Sequence, residues 1–256
     1  MTRWLRGFIH LTWIEVKLFI REWMAIFFTF IFWPMLLFIV GAIAQNDPSL
    51  VEGQFGLVDL MVPAFIGIGI MNNGLFTIGG LLASYRERGI LRRFEATPLR
   101  PTVVLAALVF VAYLMTFIST AMILGVSKLF FNLRLAGQMI EVFAAFTVGA
   151  LGLFALGFLV GSLFQTSRIT YAVCSTLFFS MLPFAIIPLA GTLFDPGIIP
   201  PFMRAISLIV PVTYVVELLQ DVFVGTPLLA SWLDLAVLVG MFGLFATLSA
   251  RLFRWE

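Results

Sequence analysis

The chain has 256 residues, 62% of them hydrophobic and only 11% charged, with a formal net charge of +2. Soluble domains run to roughly half apolar residues, so this composition and a mean hydropathy of +1.11 exclude a soluble globular protein. One cysteine, Cys174, and one histidine, His10, exclude a disulfide framework and a multi-histidine metal site.

Thr2–Trp23 reads as an amphipathic helix. At about 100° per residue, Arg3, Arg6, His10, Lys17 and Arg21 share a narrow arc, with Leu5, Phe8, Ile9, Val16 and Phe19 across from it. Such a helix lies in the headgroup plane with its cations toward anionic lipid; the plainer alternative is a basic flank ahead of the first span. Glu15 and Glu22 interrupt the apolar side, which suits contact with protein. Met1–Trp23 carries six charges and lacks the apolar run of roughly 7–15 residues that a cleavable signal peptide needs.

Six stretches then lack acidic and basic residues for about the 20 residues a bilayer crossing takes: Trp23–Asn46, Leu60–Tyr85, Pro101–Ser127, Val142–Ser167, Ile169–Phe194 and Leu235–Ala250. The last borrows its uncharged upstream flank. The first contains Pro34, a kink site. The second carries Asn72 and Asn73 near its middle among small residues, and the fourth repeats the small-residue theme with Gly149, Gly152, Gly157 and Gly161, which suits close helix packing. The two asparagines serve either an interhelical hydrogen bond or a polar path. One membrane domain, 1–256, accounts for the whole chain, and nothing points to nucleic acid as a partner.

Between the second and third spans lies a charged island, residues 84–101, with Arg86, Arg88, Arg92, Arg93 and Arg100. Basic residues mark the cytoplasmic side. Twelve fall on the side that holds the N-terminal segment, this island, Arg168 and the C-terminal tail, against three on the other. The expectation is an all-α integral membrane protein with six transmembrane helices, N-terminus in and C-terminus in, in the cytoplasmic (inner) membrane. From Pro183 to Pro227 the chain has seven of its 12 prolines, and the pieces Phe202–Val210 and Val212–Val224 are too short to span. They read as two re-entrant helices in an external region, 188–227, before the last span; a loose external loop is the alternative.

The missing chemistry narrows the function. Neither lysine, Lys17 nor Lys128, stands in a P-loop, so any ATP hydrolysis has to come from another polypeptide. A nucleophile elbow is missing. Span centres carry no charge, which argues against ion-coupled carriers and voltage sensors, and no filter motif suggests a channel.

The chain resembles, over nearly its whole length, the membrane (permease) subunit of type-2 ATP-binding-cassette (ABC-2) exporters. The resemblance rests on Glu87-Arg88-Gly89 followed by Arg92-Arg93 and Ala96-Thr97-Pro98-Leu99-Arg100-Pro101, on the amphipathic segment 1–23, and on Leu189–Phe194 to Pro200-Pro201 and Pro211-Val212-Thr213-Tyr214. It implies that Arg86–Ala96 is a coupling helix seated in a cleft of a partner ATPase. The coupling set is then Arg86, Glu87, Arg88, Gly89, Leu91, Arg92, Arg93, Phe94, Thr97, Pro98, Leu99 and Arg100, with Pro98 and Pro101 ending the rod. Arg3, Arg6, His10, Lys17 and Arg21 belong to the family's connecting helix, and Pro196, Pro200, Pro201, Pro211 and Tyr214 to its re-entrant region. The implied assembly pairs two P-loop ABC ATPase subunits with this chain and a second copy or homologous permease. The chain has no cofactor of its own, since the partner binds ATP and magnesium.

Polarity nominates Asn72, Asn73, Thr77, Thr176 and Ser180 as a substrate path. Amphipathic or hydrophobic cargo is expected, such as a drug, antibiotic or lipid, because the island is closer to drug-exporter permeases than to polysaccharide exporters. The alternative function is a membrane enzyme or assembly factor with a cytoplasmic partner-docking loop.

Overall fold

A computed structural model describes residues 3–44, 46, 55–90, 101–193 and 199–252. Among these the chain is all helix: α1 (Arg3–Arg21), α2 (Trp23–Ile43), α3 (Leu57–Glu87), α4 (Pro101–Phe131), α5 (Met139–Leu163), α6 (Ser167–Leu193), α7 (Pro201–Ser207), α8 (Pro211–Phe223) and α9 (Trp232–Leu252). Six of them, α2 to α6 and α9, are long and apolar enough to cross a membrane, as the charge-free stretches predict. Their ends reach past the apolar runs, taking in Asp59, Lys128, Asp234 and Arg251. A helix does not stop where hydrocarbon stops, and polar side chains are admitted in its terminal turns.

Burial sorts the spans. Over its apolar core, 78% of α3 is buried against 11% of α9, so α3 is the axis of the bundle and α9 its outer face. Glycines let α5 lie against α3. A Cβ on Gly157 would fall 1.8 Å from the Gly74 carbonyl oxygen, and one on Gly161 2.8 Å from that of Gly79. The close approach is therefore backbone on backbone, the arrangement small residues permit in membranes.

Prolines and π-turns leave carbonyls without helical donors, and side chains of neighbouring helices supply them. In α2 a π-turn at Phe27–Ile31 precedes Pro34, and Ser119 of α4 donates its hydroxyl to the Thr29 carbonyl at 2.5 Å. Residues Asn73–Gly80 of α3 are also π-helical, and the Cys174 thiol of α6 donates to the Leu75 carbonyl at 3.1 Å. Pro188 in α6 lacks the N–H that would reach the Phe184 carbonyl four residues back, and Thr213 of α8 donates there at 3.4 Å.

The two short helices expected between the last spans are present, meeting at 88°. Each begins with proline at its first turn, Pro201 after the cap residue Pro200, and Pro211, where a missing N–H costs nothing. The Tyr214 hydroxyl donates to the Leu208 carbonyl at 2.6 Å and pins the corner. Helix α8 is buried along nearly its whole length, packed on α3, α5, α6 and α9, which a loose external loop would not be. Pro196 lies outside the described residues.

At the same end of the bundle, Asp59 ties three segments together. Its buried carboxylate accepts from Asn46 Nδ2 at 3.0 Å, from the Gly56 N–H at 2.9 Å and from the Arg134 N–H at 3.0 Å. Asn46 in turn accepts from the Val58 N–H and donates to the Phe131 carbonyl.

Candidate functional site

The opposite end is built on α1 and on the last turn of α3. Helix α1 packs along the first half of α4: Leu11 is buried among Val103, Val104 and Ala107, and Phe19 between Val111 and Met115. Arg6, His10, Lys17 and Arg21 are exposed on its other face, with the Lys17 ammonium 5.2 Å from the Trp13 ring centre; the Arg3 side chain is outside the description. The expected apolar arc needs one correction. Ile9 is 46% exposed, because the buried arc is centred on Leu11, Glu15 and Phe19 and Ile9 falls beyond its edge.

Glu15 is therefore inside the contact, where periodicity read it as an interruption. Its carboxylate accepts the Tyr85 hydroxyl at 2.6 Å. Burial pushes the Glu15 pKa above the usual carboxylate range, and the Tyr85 hydrogen bond offsets this in part.

The next two residues of α3 hold the turn between α5 and α6. Arg86 Nη1 donates to the carbonyls of Gly161, Ser162 and Phe164 at 3.3, 3.3 and 3.1 Å. These are the orphan acceptors at the C-terminus of α5, where a cation also complements the helix dipole. Glu87 accepts from the N–H of Ser167 at 2.9 Å and from its hydroxyl, capping the N-terminus of α6 with the sign that end prefers. Three consecutive side chains, Tyr85, Arg86 and Glu87, thus grip α1, the end of α5 and the start of α6.

Helix α3 then stops. Arg88 donates its N–H to the Ser84 carbonyl at 3.1 Å and Gly89 to that of Arg86 at 2.9 Å, with Gly89 at φ +66°, the left-handed closure that glycine supplies at helix ends. The expected single rod over Arg86–Ala96 is corrected here. Arg86 and Glu87 finish the span and Arg88-Gly89 turn the chain. Gly89 is a terminator, not a residue of a rod interior. Leu91, Arg92, Arg93, Phe94, Thr97, Pro98, Leu99 and Arg100 lie outside the described residues.

Among the described residues, the five nominated for a path are not gathered on one surface. Asn73 is 2% exposed, and its Oδ1 accepts from the hydroxyls of Thr29 at 3.2 Å and Thr77 at 3.4 Å, joining α2 to α3. Asn72 is half-buried. Thr176 and Ser180 are exposed on the outside of α6, their hydroxyls turned back to the carbonyls of Ala172 and Leu177. Thr176 lines a shallow hollow on α6 that begins at Arg168.

The sequence matches the family model described as ABC-2 type transporter over residues 6–224, a stretch that runs from α1 through α8 and contains the whole junction. No curated protein sequence matches the chain. The helical architecture and the family match agree: the chain belongs to the ABC-2 type transporter family, as a multi-pass integral membrane permease subunit of an ABC transporter.

Proposed function

We propose that this permease exports an amphipathic or hydrophobic substrate, a drug, antibiotic or lipid-like molecule, from the cytoplasm or inner leaflet of the cytoplasmic membrane. The energy comes from ATP hydrolysis on separate P-loop ABC ATPase subunits, two per complex, joined to this chain and a second permease copy or homologue. ATP and magnesium belong to the ATPase.

The observation that supports this reading is the grip of Tyr85, Arg86 and Glu87 on α1, α5 and α6. A force applied to the charged island beyond Gly89 enters the bundle through α3 and reaches α1, α5 and α6 at the same point. The packed helices then move as rigid bodies, the kind of switching transition an alternating-access exporter needs. The basic island and the exposed cations of α1 face the cytoplasm in this reading, and α7–α8 fill the bundle from the external side. Asn73 acts as a structural hydrogen-bond partner. Thr176 and Ser180, on the outside of α6, contribute to a path only where a second permease copy faces them.

The test is co-reconstitution in lipid vesicles with a candidate P-loop ABC ATPase from the same source. ATP-dependent movement of a membrane-permeant cationic dye out of the ATP-accessible compartment is expected, abolished when the ATPase carries a P-loop lysine substitution. An ATPase that binds neither this chain nor its membranes would overturn the reading and favour a partner-docking membrane factor.

A further inference from the structure

Helix α3 is fastened at both ends and irregular between them. At the external end Asp59 holds it to Asn46 and to the Arg134 N–H. Close by, Gly67 admits Val216 of α8, whose Cγ2 would lie 2.6 Å from a Cβ at that position. At the cytoplasmic end Tyr85, Arg86 and Glu87 grip α1, α5 and α6. The stretch between these anchors contains the eight π-helical residues Asn73–Gly80. Bonding five residues back instead of four puts about one extra residue into such a stretch, and long π runs are rare.

The sequence weakens the helix at this point. Gly74, Gly79 and Gly80 are three of the eight residues, and glycine is the poorest helix former after proline. The carbonyls of Gly74 and Gly79 lie against Gly157 and Gly161 of α5, so backbone meets backbone across that contact.

Neighbouring helices supply the bonds that hold the segment. The Thr29 hydroxyl donates to Asn73 Oδ1 at 3.2 Å, and Thr29 stands in the π-turn of α2. The Cys174 thiol of α6 donates to the Leu75 carbonyl. Two irregular turns on adjacent helices therefore meet in one buried polar layer, and π-turns are places where helices kink. We propose that this layer is a hinge. The cytoplasmic part of α3, Leu81–Glu87, swings about it with the helix ends it grips, while the external part stays with Asp59 and α8. Its use in transport rests on the exporter reading; its presence rests on α3 alone.

The test needs no ATPase. The full chain carries Cys174→Ser, which keeps a donor for the Leu75 carbonyl, and is placed in nanodiscs. Spin labels go on Leu229→Cys, in the exposed turn before α9, and on either Leu57→Cys or Arg88→Cys, at the two ends of α3. Pulsed electron paramagnetic resonance should give a distance distribution to Arg88 about twofold broader than to Leu57, as for a segment visiting two arrangements. Deleting Gly80 removes the extra residue, restores α-helical bonding and narrows the Arg88 distribution to match. Equal widths in the parent protein, or a folded deletion variant that changes nothing, overturn the proposal. Should the deletion fail to fold, the parent widths still decide. In a complex reconstituted with an ATPase, the deletion should abolish dye export while the ATPase stays bound. Export at the parent rate overturns the hinge, whereas a parent chain that binds no ATPase overturns the exporter reading and leaves the hinge to the distances.

Discussion

The Tyr85 hydroxyl reaches Glu15 Oε1 at 2.6 Å across 70 positions of sequence, and it fastens the N-terminal helix to the axis of the bundle one residue before the chain turns to grip α5 and α6. The carboxylate is buried in that contact and its pKa is raised. A group whose pKa is higher when docked binds its proton more tightly docked than free. The stabilisation is therefore full below the ordinary carboxylate pKa and is lost as pH rises through the raised value. Glu15→Gln keeps an acceptor for Tyr85 without the charge, so wild type should lose more stability in detergent than Glu15→Gln as pH rises from acid to neutral. Parallel pH profiles for the two proteins would refute the assignment.

Arg86→Ala removes the donor to three carbonyls at the end of α5. The expected loss is about 2 kcal/mol, the scale of hydrogen bonds made by a charged group. Arg86→Lys should restore part of it, since all three bonds come from the single nitrogen Nη1 and an ammonium also offers three N–H donors. Thermal unfolding of the three proteins decides.

Gly157→Ala is among the harshest single methyl additions at the described glycines. The new Cβ would lie 1.8 Å from the Gly74 carbonyl, and backbone cannot swing aside as a side chain does. Separation of α3 from α5 and a loss of about 3 kcal/mol or more are expected. Gly69→Ala, whose Cβ meets nothing within 4 Å, is the control and should unfold like wild type.

Gly89→Ala tests the turn that ends α3. Among the described residues nothing lies within 4 Å of that Cβ, and the expected cost is the conformational one, about 1–2 kcal/mol for an L-residue at positive φ. Asparagine tolerates that region better and should recover part of the loss in the same unfolding measurement.

Charge-free length located all six spans, since hydrocarbon tolerates few exceptions, and proline spacing located α7 and α8. Glycine content pointed to the α3–α5 contact. The junction was legible only in part. The island drew attention to Arg86 and Glu87, but capping of α5 and α6 depends on which helix ends come together, and local sequence carries no record of that. Tyr85 closed a span in the sequence reading and carried no role. Glu15 did leave a signal, as an acid on an apolar arc. Asn46 and Asp59 left a weaker one, two polar residues flanking the first loop. The π-turns left none, because their freed carbonyls are answered from other helices.

The most direct test of the central claim is the ATPase rate of the reconstituted complex with and without transported substrate, comparing wild type with Arg86→Ala/Glu87→Ala. The account predicts that the double variant still co-purifies with the ATPase through the island beyond Gly89, yet loses the stimulation of ATP turnover by substrate that wild type shows. Full stimulation in the double variant would contradict it, and the grip of Arg86 and Glu87 on α5 and α6 would then be structural support with no part in coupling.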